Sequence, residues 1–226
     1  MLSISATDAW HIAHPRAVIG LLELSGVDNT RPSPELDARK REIEARLRER
    51  YAEFSRADFV SLPVMAAYQK YYKRFTKTYH VLLQLESIVL KDKRLPDVSP
   101  LVDANFTAEL DTLVLTAGHD VAKLLEPVCM DVSREGDQFT RMSGAPKSME
   151  PGDMVMRDAS GVVCSIIYGQ DNVSPISSAT THVLYVAYAP VGVSPETVEM
   201  QLRKIEENVR VFCPNAVVEQ SRLMLA

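Results

Sequence analysis

The spacing of the apolar residues changes near Glu126, and that change limits the fold more than any other feature of the chain. Upstream, apolar residues recur every three or four positions, as helices require. Leu36, Ile43, Leu47 and Tyr51 do so in 34–54, and Val81, Leu82, Leu85, Ile88 and Val89 in 79–90. Pro63 opens a helix over 63–73, and another is predicted over 100–110. Downstream come β-branched and aromatic runs at 128–132, 153–157, 162–168 and 182–189, separated by turn signals such as Asp158-Ala-Ser-Gly161. An apolar strand, 18–24, precedes the helices and stops at Ser25-Gly26. A last helix starts with Ser194 as its cap and Pro195 in its first turn and runs to about residue 211. This order predicts an α+β fold, with the strands 162–168 and 182–189 side by side and covered by the last helix.

With 226 residues, 46% of them hydrophobic, the chain can bury one good-sized core. Residues 1–62 are expected to add a strand and a charged helix to a main body at 63–226, making one globular unit. The charges of 34–54 alternate in sign, which predicts an exposed helix held by i,i+4 pairs. Asp8 and His11 stand where a signal peptide needs cations and an apolar block, so a cytoplasmic chain that does not enter membranes is expected. Cys129, Cys164 and Cys213 have neither disulfide-like nor zinc-like spacing, and no metal or cofactor is expected.

The net charge of −5 argues against a protein that coats nucleic acid, and DNA is not an expected partner. Locally the balance reverses. Between Tyr68 and Arg94, Lys70, Lys73, Arg74, Lys77, Lys91, Lys93 and Arg94 face only Glu86 and Asp92, which leaves +5. Tyr68, Tyr71, Tyr72, Phe75 and Tyr79 lie among them. The mixture suits phosphate contacts and base stacking at an unpaired RNA end, or equally a solvated helix face whose aromatic residues turn to the core.

The run from Lys91 to Asp120 is the best candidate for a recognition pocket. Its basic start leads through Pro96 and Pro100 into a segment where Asp103, Asn105 and Glu109 interrupt apolar residues. Asn105 and Glu109, four apart, project from one helical face. His119 lies in a loop-like setting, and Gly118 allows close backbone approach to a ligand. Asp120 fits a cap for a short helix over 121–125. The facing wall is expected from 163–168, with Ser165 and Tyr168, and from the hydroxyl-rich turn 177–181, with Thr180. Satisfied buried groups are the plain alternative for Asn105 and His119. No G-x-S-x-G, H-E-x-x-H, P-loop or G-x-G-x-x-G motif is present.

From about residue 64 to 189 the chain resembles the B3/B4 family, the tRNA-editing domain of the phenylalanyl-tRNA synthetase beta subunit and its free-standing relatives. The resemblance rests on Lys91-Asp-Lys-Arg-Leu-Pro96, Pro100-Leu-Val-Asp-Ala-Asn105, Gly118-His-Asp120, Pro151-Gly-Asp-Met-Val155, Val163-Cys-Ser165 and Thr180-Thr-His-Val-Leu184. It implies an α+β domain with a central, mainly antiparallel sheet flanked by helices, and hydrolysis of the ester in a mischarged aminoacyl-tRNA. In the synthetase that ester joins tyrosine to the phenylalanine tRNA. By resemblance Asn105 and His119 fall on catalytic pocket positions, and Glu109, Gly118, Ser165, Tyr168 and Thr180 on substrate-binding ones. Lys70, Lys73, Arg74, Lys91, Lys93 and Arg94 are the expected RNA contacts. Family pockets orient the ester and a water without an obvious protein nucleophile. The chain departs after Cys164, where relatives carry an arginine- and tryptophan-rich run and this chain has Ser165-Ile-Ile-Tyr-Gly-Gln170. The competing expectations are a non-catalytic module for tRNA or an amino acid-like ligand, and an interaction protein that uses the 34–54 helix.

Overall fold

Residues 1–226 are described by a computed structural model. Strand β1 (Ile4–Ala6), helix α1 (Asp8–Ala13) and strand β2 (Val18–Ser25) begin the chain. Five helices follow: α2 (Pro34–Arg50), α3 (Arg56–Ser61), α4 (Pro63–Lys73), α5 (His80–Val89) and α6 (Pro100–Thr112). Next come β3 (Thr116–Asp120), a 3₁₀ turn at Val121–Lys123, β4 (Val128–Val132), β5 (Gln138–Thr140) and β6 (Pro146–Ser148). The chain closes with β7 (Met154–Asp158), β8 (Gly161–Ser165), β9 (Gly169–Gln170), β10 (His182–Ala189), α7 (Pro195–Phe212) and β11 (Val217–Leu225).

The fold is α+β and mainly antiparallel. Its strands form two principal sheets, ordered β1-β4-β7-β8-β9 and β11-β2-β10-β3, with β5 and β6 paired separately. Only β1 runs parallel to its neighbour, β4. A single cluster of 55 buried apolar residues draws on both principal sheets and all seven helices. Helix α7 lies so close over β2 that a Cβ at Gly20 would come 2.6 Å from Val198 Cγ1. The caps read from sequence are present: Ser194 accepts from Thr197 N–H and Asp120 from Ala122 N–H.

Three expectations are corrected. The 162–168 and 182–189 strands are not neighbours, because β10 has β2 on one side and β3 on the other. The first of them ends at Ser165, where Asp153 folds the chain over by accepting Ser165 Oγ–H and Ile167 N–H, the latter at 3.3 Å. Gly169, at φ +86°, then turns it back into β9, a conformation for which glycine is suited. Residues 116–120 form an edge strand instead of a loop, and β1 and β11 were not foreseen. Helix α2 is not an exposed helix held by i,i+4 pairs. Lys40 is fully buried and its Nζ reaches Asp97 at 2.7 Å and Asp103 at 2.9 Å, while Glu44 accepts Leu95 N–H and Arg46 meets Asp111. These charges tie α2 to α6 and the 90–99 connection.

Candidate functional site

A cavity of about 390 Å³ opens where α6, β3 and the β8–β9 turn meet. Val102, Asn105 and Phe106 of α6 form one wall, and Leu115 to Gly118 a second. Cys164, Ser165, Ile166, Gly169 and Gln170 form the third, Pro175 and Ile176 overhang it, and His80, Val98, Met142 and Tyr188 complete it. Ten of the eighteen lining residues are hydrophobic and none is Asp, Glu, Lys or Arg, so the interior suits an uncharged, largely apolar group.

The polar features of this cavity come mainly from the edge of β3 that faces away from β10. Leu115 C=O accepts from Tyr188 N–H, so with the β3–β10 register the odd residues of β3 turn their backbone groups to β10 and the even ones turn away. Of the outward groups, Thr116 N–H goes to Glu109 at 2.7 Å, Thr116 C=O accepts Asn105 Nδ2 at 2.9 Å, and Gly118 C=O accepts Gln170 Nε2 at 2.8 Å. Asp120 N–H goes to Ser174 C=O at 2.8 Å. Gly118 N–H turns the same way, toward the 174–176 segment, where His119 forms an isolated antiparallel bridge with Pro175. Gly118 also has no room for a side chain, since its Cβ would come 2.6 Å from Ile176 Cδ1 and 3.2 Å from the Tyr185 ring.

Of the predicted site residues, Asn105, Gly118 and Ser165 line the cavity, whereas Glu109, His119, Tyr168 and Thr180 do not. Asn105 and Glu109 share a helical face as expected, but both point at the backbone of β3. Burial pushes the Glu109 carboxyl up to about 8. Thr180 is wholly buried and joins Asp120 Oδ2 at 2.9 Å, holding the turn before β10. Tyr168 packs under Lys147, whose Nζ is 4.4 Å from the ring centroid. Ser165 spends its proton on Asp153, whose carboxyl burial pushes up to about 6.

His119 is fully buried behind the wall. Gln170 Nε2, besides serving Gly118 C=O, lies 2.9 Å from His119 Nδ1, and the Ser174 hydroxyl gives its proton to Asp171 Oδ1 at 2.6 Å. Nδ1 meets both Gln170 Nε2 and, at 2.8 Å, Ser174 Oγ, while Nε2 has no partner. Burial pulls the imidazole down to about 3, so it stays neutral. Its place is to hold Gln170, which touches the cavity.

Sequence reasoning passed over His80. It stands at the first turn of α5, exposed on one side, and borders the cavity. Tyr72 Oη donates to Ile166 C=O at 2.7 Å, so the 3.0 Å contact between Tyr72 Oη and His80 Nδ1 has the imidazole donating. That leaves the lone pair on Nε2. Burial lowers the His80 pKa, keeping the base form present at neutral pH. A second ionisable group on the wall, the Cys164 thiol, is pushed up to about 12 by burial and is no nucleophile.

The basic residues are exposed, but the aromatic residues among them are not available for stacking. Tyr68, Tyr71, Tyr72, Phe75 and Tyr79 are all buried, and each tyrosine hydroxyl is spent inside: on Tyr188 C=O, Asp153, Ile166 C=O and Leu113 C=O respectively. The cations also split into two groups. Lys70, Lys73 and Arg74 lie at the end of α4, while Lys91, Lys93 and Arg94 follow α5, whose ten residues span roughly 15 Å. Elsewhere Asp37, Asp97 and Asp103 bring carboxylates together, but the Lys40 ammonium lies against two of them.

Fold and cavity define a mainly antiparallel α+β domain with an uncharged, largely apolar cavity beside the outer edge of β3. The chain belongs to the B3/4 domain family, whose model matches residues 65–208. Among solved structures, an N-terminal fragment of the phenylalanyl-tRNA synthetase beta-subunit from Pyrococcus horikoshii is similar at 9% identity and a TM-score of 0.46. The match covers 97% of this chain and 54% of that fragment. A search among curated proteins finds no match. No helix is long and apolar enough to cross a membrane.

Proposed function

We propose that this domain binds the acylated end of a tRNA and hydrolyses the ester of a wrongly attached amino acid, acting in trans. The observation that carries this reading is the uncharged cavity of about 390 Å³ with Gly118, whose N–H is not spent on β10, on its wall and the His80 imidazole at its border. The amino acid side chain fills the apolar interior. Its ester carbonyl accepts from Gly118 N–H, which becomes the donor for the developing oxyanion, a contribution worth roughly 10²–10³ in rate in other acyl-transfer sites. His80 Nε2 takes a proton from the attacking water, worth typically about 10²–10⁴. Asn105 and His119 act through others: Asn105 fixes Thr116 C=O, and His119 holds the Gln170 amide that fixes Gly118 C=O. Lys70, Lys73 and Arg74, with Lys91, Lys93 and Arg94, meet the phosphates on either side of α5.

A charged side chain would strand its charge among Phe106, Ile166 and Ile176, at a cost of several kcal/mol. The substrates are therefore apolar aminoacyl groups. The test is deacylation of tRNAs carrying different amino acids by the purified protein. Binding of apolar aminoacyl-tRNA without hydrolysis would favour a non-catalytic module instead, a reading supported by the inert Cys164 thiol and the committed Ser165 hydroxyl.

A further inference from the structure

A second cavity, about 140 Å³, shares no residue with the first and lies between the α1–β2 turn, the end of α4 and the turn after β10. Its only charged lining residues are Arg16 and Arg74. Most arginines of α2 and of β7 are matched to carboxylates, but neither of these two takes part in an ion pair. Arg74 is nonetheless held in place, its Nη2 donating to Gly152 C=O at 3.2 Å and its guanidinium lying 5.2 Å from the Tyr71 ring centroid and 5.4 Å from that of Phe75. Arg16 is presented by a left-handed backbone at φ +66°, with its N–H fixed by Ala226 C=O at 3.2 Å.

The third polar wall residue is His14. It is only 5% exposed, yet its Nε2 has no hydrogen-bond partner in the protein. A buried polar nitrogen without a partner is costly unless something else meets it. Burial, and then the charge of Arg74, hold its imidazole down at about 4, so it is neutral at pH 7. A held guanidinium, a second one at the rim, no acid among the lining residues and an unmet imidazole nitrogen suit a compact oxyanion. Lys70, one helical turn before Arg74, extends the positive charge outward.

We propose that His14, Arg16 and Arg74 form a binding site for a phosphate group, supplied either by an RNA backbone or by a small phosphomonoester. The RNA source rests on the tRNA reading above; the site itself does not. Arg16 and Arg74 give bidentate or paired contacts to the phosphate oxygens, and neutral His14 donates Nε2–H.

The test follows the His14 ring signals by NMR while inorganic phosphate is added to the full chain at pH 7. The expected result is a saturable shift of the His14 resonances, weakened at least tenfold in Arg16→Gln and in Arg74→Gln. Arg16 is exposed, so its variant keeps the fold even where Arg74→Gln disturbs the Tyr71 contact. His14 signals that ignore phosphate, or that respond in both variants as strongly as in the native protein, overturn the site, and deacylation that persists in that case leaves the editing reading intact. With the site present, uncharged tRNA that competes with phosphate at His14 identifies the RNA source. Phosphate binding without competition by tRNA assigns the site to a small phosphomonoester and counts against the tRNA reading alone.

Discussion

Replacing Glu109 by glutamine is expected to abolish most of the pH dependence of stability above neutrality. The Glu109 carboxyl is wholly buried, accepts Thr116 N–H, and has its pKa raised by burial from 4.5 to about 8. A group raised in this way contributes its stability fully below its unfolded pKa and loses it as pH rises through the folded one. Between pH 6.5 and 8 the unfolded chain has released this proton while the folded chain largely keeps it. Stability then falls by roughly 1.4 kcal/mol per pH unit, or about 2 kcal/mol over the window. For a chain of this size that is roughly 4–8 °C in Tm. Glu109 dominates the fall in this window: His14, His80 and His119, all lowered by burial, add a little stability as pH rises past their ordinary value, and Asp153, raised to about 6, has mostly titrated by pH 6.5. Calorimetric melting of the native protein and Glu109→Gln from pH 6.5 to 8 measures the effect. Glutamine keeps an acceptor for Thr116 N–H without the charge, so its profile should no longer fall. Equal slopes in the two proteins would refute the neutral, wall-supporting role and return Glu109 to the list of charged ligand-binding groups.

Gly118→Ala forces the end of Ile176 aside or shifts β3; the expectation is a deacylation rate at least tenfold lower with a Tm within a few degrees of native, and a native rate would remove Gly118 N–H from the mechanism. His80→Gln should slow hydrolysis by about 10²–10⁴ without weakening binding of charged tRNA, as single-turnover and equilibrium measurements together would show. Reversing Lys70 and Lys73 to glutamate should flatten the salt dependence of tRNA binding, by about 0.7 to 0.9 of log–log slope for each lost phosphate contact, and an unchanged slope would put the RNA elsewhere.

Much of the architecture could be read from the residues. Pro34, Pro63, Pro100 and Pro195 each sit in a first turn where sequence puts them, and the apolar residues of α5 and α7 face the core. What stayed hidden depends on partners distant in sequence. Gly118-His119 has loop chemistry and becomes a strand only because β10 offers an edge to pair with. Strand β11 carries Glu219, Gln220, Ser221 and Arg222, a polar run that reads as strand only beside β2. The break at Ser165 depends on Asp153 collecting hydrogen bonds from the turn, which no local pattern announces.

The candidate site was half legible for the same reason. The run from Pro100 to Gly118 does build the cavity, but polarity alone marked Asn105, Glu109 and His119 without telling which way they point. Each is spent on backbone or on another side chain. His80 looked like an ordinary residue at a helix start, and only the Tyr72 hydroxyl, already committed to Ile166 C=O, fixes its tautomer and frees Nε2. The interleaved tyrosines suggested stacking platforms, yet their hydroxyls find acceptors deep in the core, which makes them struts between α4, α5 and the sheets.

The most direct test of the central claim is single-turnover deacylation by the native protein of one tRNA body charged in turn with phenylalanine, leucine, methionine, aspartate and lysine. An uncharged cavity with Gly118 N–H on its wall predicts accelerated release of at least one of the three apolar amino acids, and rates for aspartate and lysine at least about a hundredfold lower, the equivalent of a charge penalty of roughly 3 kcal/mol. Release of aspartate or lysine as fast as the apolar three, or no acceleration for any of the five, would contradict it.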